Sequence, residues 1–152
     1  MAESFESRLM RWKFRFFPCY RGTGARVRYV ASDFREVRIE IPHSWRTYNY
    51  VGTIFGGSMF AAADPIYMLM LIRILGDDYT VWDKAGSIRF LKPGRSTLYA
   101  TFVVDEAMTD EIVGSLREQR SVERMFHVRL VDGDGAAHAE IEKTIFIRRN
   151  LG

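Results

Sequence analysis

Three observations predict an α+β fold in which an antiparallel β-sheet wraps around one long central α-helix. First, residues 56 to 75 are apolar on nearly every side. Met59-Phe60-Ala61-Ala62-Ala63 is followed by Ile66 to Leu71, where the only polar side-chain atom is the Tyr67 hydroxyl. A helix that is apolar all round is a buried helix. Second, stretches of period-two alternation come in runs, two before this helix and four after it. Runs of strands, rather than strict strand–helix alternation, argue for an antiparallel sheet. Third, the 152 residues match one domain, so 1–152 reads as a single unit with a core of useful size.

In chain order, an N-terminal helix falls within residues 1–17, from about residue 3. Phe5, Leu9, Trp12 and Phe16 recur on one side, and Arg8, Arg11 and Arg15 share another. Such a helix suits a membrane surface, or it packs on its own domain as a lid with a solvated basic side. The expectation is the lid. Charges interrupt any apolar stretch of signal-peptide type. Pro18 ends the helix, and residues 21–24 read as a loop. Val27, Tyr29 and Ala31 then alternate with Arg26, Arg28 and Val30. Val37, Ile39 and Ile41 alternate with Arg38 and Glu40. Ser32-Asp33-Phe34 is the expected turn between these strands.

Asn49 and Gly52 read as a turn leading to the central helix over residues 56–75. Asp64-Pro65 interrupts that helix. Because Pro is also a frequent first helical residue, periodicity alone leaves two arrangements open. One is a single helix from Gly56; the other is a Gly-rich turn followed by a helix from Pro65. A transmembrane span is disfavoured, since the run is barely long enough and holds Asp64, Pro65 and Arg73. Gly76-Asp77-Asp78 closes the helix. Residues 80–91 form a long strand. Leu98, Ala100, Phe102 and Val104 make an inward row. Thr109 is expected to cap a short helix. Phe126, Val128 and Leu130 alternate up to Asp132-Gly133-Asp134-Gly135, a hairpin turn rather than a calcium loop, and residues 136–148 form the last strand.

Composition removes several functional classes. Net charge is +3, with 47% hydrophobic and 27% charged residues, which is ordinary for a globular chain. No zinc-finger spacing, RNP motif or basic tail points to nucleic acid. The single Cys19 precludes an internal disulfide. His43, His127 and His138 show no metal-ligand spacing. Ser58 is not within Gly-x-Ser-x-Gly, so no nucleophile elbow is indicated.

The spacing Asn49, Gly52, Phe55, Gly56, Gly57, Asp64 resembles the signature of hotdog-fold acyl-CoA thioesterases of the phenylacetyl-CoA type. The stretch Asp83 to Gly94 resembles the strand that follows the central helix in that superfamily. The similarity runs from about Ala25 onward. Within the superfamily the chain is similar to an uncharacterised branch, a domain of unknown function related to these thioesterases. One residue departs from the pattern: Phe55 stands where the family usually has His.

The resemblance implies a hotdog fold and hydrolysis of an acyl thioester at a dimer interface. The Gly57 amide, at the helix N-terminus, would hold the thioester oxyanion. Asp64 would act as general base or nucleophile. Asn49 would orient the water or the start of the helix, or serve simply as a turn residue. Gly56 allows close backbone approach, Phe55 lines an acyl pocket or belongs to the core, and Lys84 is a further substrate-side candidate. Lys84 shares a strand face with Trp82, Ile88 and Phe90, and it either pairs with Asp64 or another acid or snorkels at a strand end. Gly57 and Asp64 are seven residues apart, roughly 10 Å along one helix. That separation is too long for both to act on one carbonyl within a chain. The resemblance implies two subunits with antiparallel central helices, so that Gly57 of one faces Asp64 of the other, and a homodimer, or a dimer of dimers, is expected.

Coenzyme A thioester is the expected substrate or ligand. No metal or redox cofactor, nucleic acid or stable membrane insertion is expected, and the expected compartment is the cytoplasm. Two alternatives remain. One is a non-catalytic hotdog protein that binds an acyl-CoA or another apolar ligand. The other is a dehydratase of 3-hydroxyacyl thioesters, which Phe55 disfavours because that chemistry needs a His beside an acid.

Overall fold

The computed structural model describes residues 2–150. The elements run α1 (Phe5–Phe16), α2 (Pro18–Gly22), β1 (Arg26–Val30), β2 (Glu36–Ile41), α3 (Gly56–Ala63), α4 (Ile66–Leu75), β3 (Tyr79–Phe90), β4 (Leu98–Val103), α5 (Glu106–Glu118), β5 (Ser121–Val131) and β6 (Ala137–Arg149). The six strands form one sheet in the order β1-β2-β4-β5-β6-β3, and every pairing is antiparallel. The predicted α+β class is present, with two strands before the central helix and four after it.

Alternation explains the core. In β4, Leu98, Ala100 and Phe102 are buried and the residues between them exposed. In β6 the inward row is Ile141, Lys143, Ile145 and Ile147. These rows pack against Met59, Ala62, Ala63, Ile66, Met70 and Leu71 of the central helix. β1 keeps the alternation only as far as a bulge between Val27 and Tyr29. Past it Val30 turns inward, where the sequence pattern had placed Tyr29 in the inward row; a bulge shifts the facing of the residues beyond it.

The central helix combines both arrangements that the sequence allowed. It starts at Gly56, and Asp64-Pro65 divides it into α3 and α4. Asp64 and Pro65 keep right-handed helical dihedrals, with φ −48° and ψ −52° at Asp64 and φ −82° and ψ −10° at Pro65. The chain direction is thus retained where proline removes one backbone donor. Gly76 ends α4 with φ of 77°, a region that favours glycine. Gly56–Leu75 is long and apolar enough to cross a membrane by composition, but here it lies on the sheet as the core helix. It is not buried all round in a single chain: Gly57 and Ala61 are exposed.

Two end assignments differ from expectation. Pro18 does not only end α1; it is also the first residue of α2, where its missing N–H is harmless. The N-cap of α5 is Asp105, whose carboxylate accepts from the Met108 amide. Thr109 lies inside that helix, and its hydroxyl donates to the Glu106 carbonyl at 2.8 Å.

The sheet is nearly divided between β4 and β5, which share one ladder pair, Tyr99 with Val131. Tyr67 of α4 stands at the gap. Its hydroxyl donates to the His127 carbonyl of β5 at 2.8 Å. Its ring meets Phe102 of β4 at 5.0 Å and Phe126 of β5 at 4.7 Å.

Candidate active site

The start of α3 is built by a loop and two aromatic rings. Asn49 organises the loop. Its Oδ1 accepts from the Val51 and Thr53 amides at 3.1 and 3.2 Å, and its Nδ2 donates to Thr53 Oγ1 at 3.0 Å. The Asn49 amide group is thus spent on the turn, where Gly52 takes φ of 73°. The Phe55 amide donates to the Thr47 carbonyl, which aims the chain into the helix. Phe55 is the N-cap and offers no side-chain cap. The first helical hydrogen bond runs from the Met59 amide to the Phe55 carbonyl. The Gly56, Gly57 and Ser58 amides therefore lack helical acceptors, and the helix dipole adds partial positive charge there.

Both glycines lie close against aromatic rings. A Cβ on Gly56 would lie 2.6 Å from the Phe90 ring, and a Cβ on Gly57 would lie 2.4 Å from the Phe55 ring. Phe55 is itself 56% exposed, so its ring folds over Gly57 from the solvent side.

Asp64 lies on the same outward side of the helix as Gly57 and Ala61. Lys143 Nζ donates to Asp64 Oδ1. The second carboxylate on this lysine is Asp83, with Oδ1 at 3.2 Å from Nζ, an ion-pair distance outside hydrogen-bonding angles. Lys143 is only 2% exposed, whereas the Asp64 side chain is 45% exposed. Burial of a lysine requires such partners. The Lys143 ammonium also lies 5.4 Å from the Phe60 ring centre. Burial raises the Asp83 pKa above the ordinary carboxylate range, and the Asp64 charge adds to this, while Lys143 works against both.

The sequence reading named Asp64 but missed Lys143 and Asp83. A signal for Lys143 existed: it is the one charged residue in the inward row of β6, between Ile141 and Ile145. Lys84, the candidate partner from sequence, sits at a register shift of β3 between Asp83 and Ala85. Its ammonium pairs with Glu123, not with Asp64.

β3 is an outer strand of the sheet, and from Lys84 to Ser87 it is exposed. Gly86 faces the helix: a Cβ there would come within 2.8 Å of the Phe60 ring and 3.2 Å of Lys143 Cδ. The arrangement supplies unpaired amides at Gly56 and Gly57 and a held, half-exposed carboxylate at Asp64. Among the described residues no group of three or more His, Cys, Asp or Glu side chains is placed to hold a metal ion.

The family model for a domain of unknown function, DUF4442, matches residues 6–147. The chain belongs to the DUF4442 family. This member matches no curated protein. Among solved structures it is similar to PA5026 of Pseudomonas aeruginosa, a protein of unknown function described as a probable thioesterase. Identity is 18%, with 94% of this chain and 95% of that chain covered and a TM-score of 0.82. It is also similar to thioesterase HI1161 of Haemophilus influenzae, with 15% identity, 99% and 95% coverage and a TM-score of 0.72. A variant of thioesterase PA1618 from Pseudomonas aeruginosa gives 13% identity, 99% and 97% coverage and a TM-score of 0.69. At these identities the likeness establishes the fold, the hotdog of thioesterase-like proteins.

Proposed function

We propose that this DUF4442 protein hydrolyses an acyl-CoA thioester at sites shared between two subunits. The observation that carries the reading is the common outward side of Gly57 and Asp64 beside the outer strand β3. Long exposed outer strands are usually covered, and β3 offers twelve residues from Tyr79 to Phe90. A twofold partner laid along β3 would bring one Gly57 toward the other subunit's Asp64, which removes the roughly 10 Å separation along a single helix.

In this reading the thioester oxygen accepts from the Gly57 amide. Asp64 takes a proton from water as the water oxygen bonds to the carbonyl carbon. The tetrahedral intermediate collapses with cleavage of the C–S bond, and the departing thiolate takes up the proton. Lys143 acts as a positioning residue by holding Asp64 Oδ1, which leaves the second oxygen for water. Asn49 shapes the loop. The reading uses no metal or redox cofactor.

Complementation tests the shared site. Asp64→Ala and Gly57→Val should each be inactive in release of free thiol from acyl-CoA. After subunit exchange, random assembly makes half the dimers hetero, each with one intact site. About a quarter of wild-type activity should return. Confirmed exchange without recovery would show that both groups act within one chain.

One observation favours a second reading, in which the fold binds an acyl thioester without turning it over. The Phe55 ring lies against Gly57, 2.4 Å from where a Cβ would stand, and so crowds the residue whose amide would receive the carbonyl. Acyl-CoA binding with thiol release no higher than that of Asp64→Ala would establish this second reading. Phe55→His should raise release if the ring is the only obstacle.

A further inference from the structure

Helix α1 turns its apolar stripe away from the domain. Phe5, Leu9, Trp12 and Phe16 are all exposed, Phe5 at 74% and Trp12 at 57%. The buried residues of the same helix are Ser7 and Phe14. At about 100° per residue, the stripe and the buried side lie roughly half a turn apart. The helix packs on its own domain, as expected of a lid, but through Ser7, Met10 and Phe14 rather than through the stripe. Trp12 and Phe16 touch at 4.5 Å between ring centres, and Phe17 continues the exposed aromatic surface.

The flank of this stripe is basic. A groove of about 1150 Å³ runs between α1 and β1, with Arg8, Arg15, Arg21, Arg26, Arg28 and Arg46 on its walls. Arg26 and Arg28 share Glu40, and Arg46 lies over the exposed Trp45 ring at 5.9 Å. Arg8, Arg15 and Arg21 make no ion pair among the described residues. Net charge is only +3, so this concentration of cations is local to one face.

We propose that this face docks reversibly on an anionic lipid surface. Phe5, Trp12 and Phe16 would enter the headgroup boundary, and Arg8, Arg15 and Arg21 would meet lipid phosphates. Aromatic residues beside cations suit that boundary, and each arginine near an anionic leaflet adds about 1 kcal/mol of attraction. Charge decides against a second copy, because a twofold contact would set the same arginines against each other. A small soluble anion would meet the arginines but cover little of Phe5, Trp12 and Phe16, which line the same groove and are more than half exposed. The inference does not rest on thioester hydrolysis.

The test is co-sedimentation of the full chain with vesicles of phosphatidylcholine alone, and of two parts phosphatidylcholine to one part phosphatidylglycerol. Binding is expected only to the second, and it should weaken as salt screens the contact. Arg8→Gln with Arg15→Gln should lower partitioning roughly thirtyfold, two arginines at that strength. Trp12→Ser with Phe16→Ser should also lower it, while every charge is retained. All four side chains are exposed, so both double variants should unfold thermally as wild type does; if one does not, the other serves.

Four results would overturn the proposal. One is equal partitioning to both vesicle types. Another is partitioning that neither double variant changes. The third is binding of pyrophosphate or polyglutamate in calorimetry with no vesicle binding, which would assign the groove to a soluble anion or an acidic protein. The last is self-association that Trp12→Ser abolishes, again without vesicle binding, which would assign the stripe to a second copy.

Discussion

Tyr20 of α2 donates its hydroxyl to the Ala62 carbonyl at 3.1 Å, and this bond ties the N-terminal segment to the central helix just before its break. Both groups are buried. Burial alone pushes the Tyr20 pKa upward, so the phenol remains a donor throughout ordinary pH. Phe14 supports the ring from α1, at 4.7 Å between centres. The N-terminal helices are thus anchored through Tyr20 and Phe14 while the α1 stripe remains outside.

Tyr20→Phe should therefore destabilise the protein by about 1–3 kcal/mol, because it strips a donor from a buried carbonyl without opening a cavity. Urea unfolding measures this. An unchanged midpoint would mean that the Ala62 carbonyl finds another donor.

Lys143→Met keeps volume in the inward row of β6 but removes the cation between Asp64 and Asp83. The expected loss is on the order of 3 kcal/mol, with most of it from Asp83, the less exposed acid. Adding Asp83→Asn should recover part of the loss by removing the stranded charge. If the double variant is no more stable than Lys143→Met alone, the two residues are not coupled.

Asp83 also sets a pH dependence. Its pKa is raised in the fold, so the native state holds that proton more tightly than the unfolded chain does. The resulting stability is fully present below the unfolded value, about 3.9, and is lost as pH rises through the native value. Relative to Asp83→Asn, the wild type should fall in stability across that window as pH rises. Denaturant midpoints measured in steps from pH 4 to neutrality would show it; a constant difference, or one of opposite slope, would contradict the assignment.

Much of the fold was legible because burial imposes period two on strands. Leu98, Ala100 and Phe102 lie inward as their spacing predicts. The helix start at Gly56 followed from the Gly-Gly motif, whereas periodicity alone could not separate a helix start at Pro65 from a kink. The α1 stripe was visible, but its orientation was not: a period identifies a face, and the partner for that face comes from tertiary structure. Asp64 was found through its spacing. Lys143 was missed because its partners lie 79 and 60 positions earlier in the chain, although its inward place among isoleucines marked it. The fold of the Phe55 ring over Gly57 depends on a rotamer, which spacing does not encode.

The gap between β4 and β5 concentrates the sheet's sensitivity to temperature in one seam. Elsewhere in the sheet, neighbouring strands are joined by hydrogen-bonded ladders. Across this seam, beyond the single pair at Tyr99 and Val131, the join is Tyr67, which bonds the His127 carbonyl and stands wedged between Phe102 and Phe126. Apolar contacts weaken on cooling. The aromatic wedge is therefore the join most sensitive to cold. On cooling, the half-sheet β1-β2-β4 is expected to part from β5-β6-β3 along this line before the ladders within either half open.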